Sequence, residues 1–307
     1  MDRLRAMHTF VRVVEAGGFS AVARESNTSQ SAISKQVAAL ERHLGVTLLT
    51  RSTRALALTD AGERYFEQAR RLTAEVAEAE HALRHGELQL DGLLRVAAPV
   101  GFGLRVLMPL VRQFLASHPA VRIDLRLDDS TIDLVEQGID LTVRIGQLGD
   151  SALVARRVGS SPSAIVATRS YLARPGGPPA PRVPQDLVDH ACIVYTTLST
   201  RNLWHFSDAA GREVAVGVQG PLQSNSSEVV RAAVMAGMGI ARAPVWMMDD
   251  ALARASWQVL LPDWRMAPLP IHLVYPQHRR HAAKVKAFSD FLAKRLGQDE
   301  QAEAAGP

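Results

Sequence analysis

A chain of 307 residues is longer than a single hydrophobic core usually organises, so two domains are expected. Its 47% hydrophobic and 21% charged residues exclude a disordered or fibrous chain, and no apolar run approaches membrane-spanning length. The formal net charge of +4 tilts the chain towards anionic partners, and its single cysteine, Cys192, excludes a disulfide framework. Cys192 lies in the apolar run Ala191–Val194 and reads as a buried small hydrophobe, with a reactive thiol as the competing reading.

The basic excess is concentrated early. Before Asp60 the bases Arg3, Arg5, Arg12, Arg24, Lys35, Arg42, Arg51 and Arg54 face only Asp2, Glu15, Glu25 and Glu41. Met1–Arg5 leads straight into an amphipathic pattern without the apolar stretch of a secretory signal, so the chain is expected to stay in the cytoplasm.

Leu4, Met7, Val11 and Val14 recur at three- and four-residue steps, predicting a first helix that ends at Gly17-Gly18. Phe19-Ser20 reads as a hydrophobic residue before an N-cap, opening a short helix that stops near Asn27. Thr28 and Ser29 offer the next cap. Behind them Ile33, Val37, Leu40 and Leu44 form one helical face, and Gly45 supplies the stop. From Thr47 to Thr59 the residues alternate as in a small β-ribbon, a wing with Arg51 and Arg54 near its tip.

Thr59-Asp60 then caps a long helix, with Glu63 placed to reach back as in a capping box. Along it Tyr65, Ala69, Leu72, Val76, Ala79 and Leu83 repeat at heptad steps among charged neighbours, a seam that implies dimerisation, with packing on its own domain as the alternative. Residues 86–92 read as a hinge.

Beyond the hinge, strand and helix alternate. Strands are expected at Leu93–Ala97, Val121–Leu127 and Leu141–Ile145, with helices from about Leu104 to Ser117 and around Ile132–Gln137. This βαβαβ series predicts an α/β domain with a mostly parallel sheet. The Pro- and Gly-rich run Arg174–Pro184 is a surface loop within a second lobe. Further strands are expected at Ile193–Thr196, Val214–Val218 and Ile240–Ala243. A C-terminal helix carries Val285, Phe288, Phe291, Leu292 and Leu296 on one face, and residues after Gly297 read as a flexible, solvated tail.

If the helix after Ser29 buries Ile33, Val37, Leu40 and Leu44, its opposite face presents Gln30, Ser31, Ser34, Lys35, Ala38 and Arg42. Gln30 suits bidentate pairing with adenine and Lys35 a guanine or a phosphate, while the small residues admit close approach to a major groove. A plain solvated face is the competing reading for this helix taken alone. A capped turn before it and a basic wing after it favour DNA.

The segments Phe19–Arg24, Ser29–Val37, Leu40-Glu41, Leu44-Gly45 and Leu48–Gly62 closely resemble the LysR-type transcriptional regulators. The resemblance continues through Pro99, Phe102-Gly103, Pro109, His118-Pro119, Asp133–Val135, Gly138, Asp140, Arg144–Gly146 and Ala236–Ala241, over essentially the whole chain before the tail. It implies a winged helix-turn-helix over residues 1–59, a dimerising linker helix over 60–86 and an effector-binding domain over 87–297. That domain is two-lobed like periplasmic binding proteins, with lobe I near 93–163 and 269–296, lobe II near 164–268, and a tail over 298–307. It also implies a sequence-specific regulator controlled by a small molecule bound between the lobes and assembling as a homodimer or homotetramer. Its partners would be promoter DNA of dyad symmetry and an aromatic or small organic acid, with RNA polymerase as a candidate further partner.

Carried onto this sequence, the DNA-contacting residues are Ser20, Gln30, Ser31, Ser34 and Lys35, with Arg51, Thr53 and Arg54 on the wing. Lys35 stands where the family often has Arg, which weights it towards phosphate. Resemblance and pattern together place the effector among Val100, Gly101, Phe102, Ser130, Thr131, Arg144 and Gly146 from one lobe. The other lobe adds Thr196, Thr197, Asn225 and Ser226, at strand ends and helix starts whose backbone N–H groups point into the crevice. Helix capping competes as the role of Ser130, Thr131 and Ser226. Arg144 and Arg242 offer charge to an anion or point into solvent, and strand alternation leaves both open.

Other chemistries find no support. Gly101-Phe102-Gly103 lacks the later glycine of a dinucleotide fingerprint, the histidines show no metal-ligand spacing, and no G-x-S-x-G elbow marks a hydrolase. No cofactor or metal is expected, nor an enzyme. A binding protein for export would not need the first ninety residues.

Overall fold

The computed structural model describes residues 2–51, 56–85, 90–130, 133–149, 153–248, 257–280 and 282–304. They fall into two compact units, Met1–Gln89 and Leu90–Pro307.

In the first unit α1 (Arg3–Glu15), α2 (Phe19–Glu25) and α3 (Gln30–Leu44) precede a ribbon of β1 (Leu49–Arg51) and β2 (Leu56–Leu58), then α4 (Asp60–His85). Of the expected stripe on α1, Val11 is buried and Met7 and Val14 pack against the core, and Ala6, Phe10 and Val13 widen the buried face. Leu4 is exposed, because Phe10 brings the largest apolar side chain and takes the centre of the core. Ser20 is not the cap of α2. Gly18, in extended backbone, holds the cap position without a side-chain bond, so Phe19 is already helical and Ser20 stays exposed in the first turn. Gly serves there at little cost relative to Ser.

The turn into α3 places Asn27 at φ 51°, which its short polar side chain tolerates. Ser29 Oγ then accepts from the Ala32 N–H at 3.2 Å, and Gly45 ends the helix in the left-handed region at φ 71°. Ile33, Val37 and Leu40 are buried as expected.

Thr59 caps α4 alone, its Oγ1 accepting from the Gly62 N–H at 2.9 Å. The expected capping box with Glu63 does not form: with Thr59 as cap, the reach-back position belongs to Gly62. Glycine is required there, since a Cβ would overlap the Leu48 carbonyl. The heptad seam also divides. Tyr65, Phe66 and Ala69 pack on their own domain, with the Phe10 ring 5.7 Å from Tyr65 and 6.3 Å from Phe66. Leu72, by contrast, is 45% exposed.

The second unit holds two five-stranded sheets. Lobe I orders β4 (Val121–Leu127), β3 (Gly92–Ala98), β5 (Leu141–Ile145), β14 (Leu269–Tyr275) and β6 (Val154–Ser161). Lobe II orders β11 (Gln223–Ser224), β8 (Cys192–Tyr195), β12 (Ile240–Pro244), β7 (Ser163–Thr168) and β13 (Trp257–Leu260), beside a hairpin of β9 (Leu203–Ser207) and β10 (Glu213–Gly217). Neither sheet is mostly parallel from end to end. β4, β3 and β5 are parallel, but β14 runs antiparallel to both β5 and β6. In lobe II β12 and β11 are parallel to β8, while β7 is antiparallel to both β12 and β13. The reversals arise because the chain crosses from lobe I to lobe II at β6–β7 and returns at β13–β14.

In lobe I the helix expected from Leu104 begins earlier, as α5 (Val100–Phe102), and continues through a π-helical stretch Gly103–Leu107 into α6 (Met108–Ser117). Around Gln137 there is no helix among the described residues. Asp133 Oδ1 accepts from the N–H groups of Val135 and Glu136, closing a single turn that Gly138, at φ 62°, ends. The short helix α7 (Arg169–Leu172) and α8 (Ser227–Met235) belong to lobe II. The C-terminal helix α9 (Ala283–Ala304) runs past Gly297 into the segment expected as a tail. One glycine costs a helix about 1 kcal/mol, and the Gln, Glu and Ala residues after it are good helix formers. Phe114 of α6, wholly buried, sits 4.9 Å from Phe288 and 5.5 Å from Phe291, so α6 and α9 share one core. Burying each such ring contributes roughly 1.5–3 kcal/mol.

Candidate functional site

The first unit presents α3. Its outward face carries exposed Gln30, Ser31, Lys35 and Arg42, with Ser34 and Ala38 half-buried between them. Polar ties from α1 hold it and the neighbouring α2. Thr9 Oγ1 of α1 donates to Gln36 Oε1 at 2.7 Å, and Arg12 Nη2 of α1 donates to both carboxylate oxygens of Glu25 at 2.7 and 2.9 Å, fixing α2. The hydrogen bond to Glu25, then that to Glu15, raises the Arg12 pKa. Ser20 is exposed at the start of α2. Arg51 closes β1, paired in register with Leu56; its side chain, and Thr53 and Arg54 entirely, lie outside the described residues.

A residue that sequence reasoning passed over joins the helix to the ribbon. Glu41 of α3 accepts from the N–H groups of Leu48 at 2.8 Å and Leu49 at 3.1 Å with one oxygen, Oε1. Leu48 and Leu49 are buried, so the carboxylate satisfies two donors that water does not reach. An acid in the last turn of α3, a few residues before the ribbon, was the available signal.

In the second unit a cavity of about 390 Å³ is lined from both lobes, a size suited to a small organic ligand. Of the expected effector residues, Ser130, Arg144 and Thr197 line it, as does Arg242. Val100, Gly101, Phe102, Gly146, Thr196, Asn225 and Ser226 are not part of its wall, and Thr131 lies outside the described residues. The expected open backbone donors are taken by the protein itself. The Val100 N–H goes to Asp129 Oδ1 at 2.9 Å, Gly146 N–H to the Pro270 carbonyl at 2.9 Å and Thr196 N–H to the Ser224 carbonyl at 2.9 Å. Ser226 N–H goes to Ser224 Oγ at 3.0 Å. Of the possible caps, Ser226 makes no side-chain cap bond to α8, and the Ser130 hydroxyl and N–H both donate to Asp128 Oδ1 at 2.7 Å. These bonds lower the Asp128 pKa.

The cavity wall combines apolar surface from Trp246, Leu148 and Leu269 with two guanidinium groups, Arg144 on β5 of lobe I and Arg242 on β12 of lobe II. Burial lowers the pKa of both, and Asp128 pulls Arg144 back upwards. Arginine nevertheless remains charged. Arg242 donates from Nε to Ser163 Oγ at 3.2 Å and from Nη2 to the Ala267 carbonyl at 3.4 Å, and among the described residues it has no acidic partner. The Ser227 hydroxyl, also in the wall, is buried without a hydrogen-bond partner among the described residues. Asp128 and Asp129 line the same wall and are engaged by backbone N–H groups, so the half-buried Arg242, without an acidic partner among the described residues, is the charge best suited to an anion with hydrogen-bonding oxygens.

No group of three or more His, Cys, Asp or Glu residues suited to a metal occurs among the described residues. No described helix is long and apolar enough to cross a membrane.

Residues 4–63 match the family model of a bacterial regulatory helix-turn-helix protein, lysR family, and residues 87–297 match the LysR substrate binding domain. The chain is 36% identical to the HTH-type transcriptional regulator PtxR of Pseudomonas aeruginosa, over 96% of this chain and 94% of that protein. It is 33% identical to the HTH-type transcriptional regulator CrgA of Neisseria meningitidis serogroup C, over 94% of this chain and 96% of that protein. The solved structure of CrgA, described as a LysR-type transcriptional regulator from Neisseria meningitidis, superposes with a TM-score of 0.60 at 32% identity, covering 95% of this chain and 98% of that one. A helix-turn-helix face, a two-lobed domain behind it and matches spanning both units converge: the chain belongs to the LysR family, and is a DNA-binding transcriptional regulator with an effector-binding domain rather than an enzyme.

Proposed function

We propose that this regulator works in the cytoplasm, reads a two-fold symmetric DNA site as a pair of chains or a dimer of pairs, and responds to a small organic acid. Gln30, Ser31, Ser34 and Lys35 of α3 face the major groove, Ser20 approaches the backbone, and Arg51, Thr53 and Arg54 follow the adjacent phosphates. Two recognition helices presented by paired α4 helices enter successive major grooves roughly 34 Å apart. The bound regulator then alters what RNA polymerase does at that promoter.

The observation that carries the choice of effector is the presence of one guanidinium from each lobe, Arg144 and Arg242, on the wall of one partly apolar cavity. An acid with an aromatic or aliphatic body satisfies both features. The decisive experiment is a thermal-shift and calorimetric screen of the full chain with aromatic and aliphatic carboxylates, each paired with its neutral amide. The expected result is that one or more acids bind while their amides do not, and that Arg242→Gln abolishes the binding. Acids and amides binding alike, or Arg242→Gln binding as well as the parent, would overturn the reading.

A further inference from the structure

We propose that Asp129 is a built-in anion that ties lobe I to lobe II through the first N–H of a helix in each, and that by filling this seat it keeps an effector's carboxylate off those helix starts. Asp129 follows β4. Its Oδ1 accepts from the Val100 N–H, where the α5–α6 run of lobe I begins, at 2.9 Å, and its Oδ2 accepts from the Ser227 N–H, where α8 of lobe II begins, at 3.2 Å. One carboxylate therefore uses its two oxygens on two lobes. Each helix start is the positive end of its backbone dipoles, so a negative charge belongs there. Here the chain supplies it.

The lobes meet closely at this point. Arg105 of the π-helical stretch donates to both oxygens of Glu228 on α8, at 2.5 and 3.1 Å. The ring of Phe102 meets that of Trp246 edge-on at 5.6 Å, and Trp246 Nε1 donates to Ser161 Oγ at 3.0 Å. A Cβ on Gly101 would come within 2.8 Å of Ser227 Oγ and 2.9 Å of Glu228 Oε1, so a residue of lobe I lies against the start of α8 with no spare room. Asp128, next in sequence, does a separate job by closing the Ser130 turn. The Arg105–Glu228 pair balances its own charge, which leaves Asp129 as the carboxylate that both helix starts share.

The effector clause rests on the acid-binding reading above; the tie between lobes does not. With the helix starts occupied, the recognition of an acid falls to Arg144 and Arg242.

The test uses the full chain and amide hydrogen exchange resolved to single residues, in sodium chloride and in sodium formate at equal ionic strength. In Asp129→Ala the Val100 and Ser227 amides are expected to exchange at least tenfold faster than in the parent. Formate, but not chloride, restores at least half of the lost protection in the variant and changes nothing in the parent, whose seat is filled. Unchanged exchange at both amides, acceleration at only one, or an equal formate effect on the parent overturns the tie. Should Asp129→Ala fail to fold, as read by tryptophan emission, the isosteric Asp129→Asn carries the test: its Nδ2 cannot accept, so at least tenfold faster exchange at the amide facing Nδ2 and a smaller acceleration at the other support the tie, and parental exchange at both overturns it. These readouts need no effector. An acid screen that finds nothing alongside faster exchange removes the acid reading and leaves the tie, and the opposite pair of results removes only the tie.

Discussion

Replacing Glu41 tests how the wing is held to the recognition helix. Its Oε1 is the acceptor that the buried Leu48 and Leu49 N–H groups share. Glu41→Ala leaves both donors without it. An orphaned buried donor costs about 1–3 kcal/mol, so the two together cost about 2–6 kcal/mol, concentrated where β1 begins. Glu41→Gln keeps an oxygen in place but removes its charge, and a neutral acceptor makes hydrogen bonds about half as strong. The expected order of stability is therefore parent, then Gln, then Ala. All four tryptophans (204, 246, 257 and 264) belong to the second unit, so exchange of the Leu48 and Leu49 amides is the assay that reads this region directly. DNA affinity should fall in the same order, since a loosened ribbon must be re-ordered on binding. Protection in Glu41→Ala within about 0.5 kcal/mol of the parent would refute the reasoning, because substitutions away from such features typically fall in that range.

Four further outcomes are expected. Arg279→Ala removes the cation from a buried pair in which Arg279 Nε lies 3.2 Å from Asp140 Oδ1, and should lower stability by about 3–5 kcal/mol in urea unfolding followed by tryptophan emission. His190, buried and hydrogen-bonded to the Pro179 carbonyl at 3.1 Å, has its pKa lowered below 6.5 chiefly by burial. The unfolded chain takes up a proton as pH falls through 6.5 while the folded chain does not, so stability is full above that pH and declines below it; His190→Gln should flatten the slope. Burial pushes the Cys192 thiol up to about 12, so iodoacetamide at pH 8 should modify it only as the protein unfolds, and labelling of the native chain would contradict this. Leu72→Glu puts a charge on the exposed part of the α4 seam and should shift sedimentation from paired to single chains.

Local signals were legible where one residue type has one structural use. Gly45 ended α3 and Ser29 capped it because each does so through its own backbone or hydroxyl, without help from distant residues. Ser20 and Glu63 failed as caps for the complementary reason. Whether a cap forms at the expected position depends on what packs beside it: Phe19, packed against the core, moved the cap of α2 two residues back to Gly18, while α4 begins at Asp60 as expected but with Gly62, against the Leu48 carbonyl, in the reach-back position. The strands β6, β7, β13 and β14, which carry the chain between lobes, gave no alternating pattern strong enough to read. The cavity was half legible. Its arginines lie on strands found by periodicity, but which face they present depends on the second sheet. Asp129 was invisible as a tie because its partners are backbone N–H groups, one of them 98 residues away, and any residue but proline provides one.

The internal tie also constrains how an effector could act. Asp129 and Val100 both belong to lobe I, so only the bond from Ser227 crosses between the lobes, and at about 1.5–3 kcal/mol for a charge-assisted hydrogen bond it sets the Asp129 contribution in favour of the joined lobes. The Arg105–Glu228 pair, partly exposed, adds at most about 1 kcal/mol. A ligand moves a two-state equilibrium only by its differential affinity, and a shift from 1:99 to 99:1 takes about 5.5 kcal/mol. An acid that needs the lobes joined therefore meets a cavity already assembled and spends none of its affinity on closing it. One that works by parting the lobes must overcome the tie, which absorbs a substantial part of the differential affinity of a switch. The geometry thus favours an effector that reinforces the joined state, and weakening Asp129 should lower effector affinity while leaving the contacts to Arg144 and Arg242 intact.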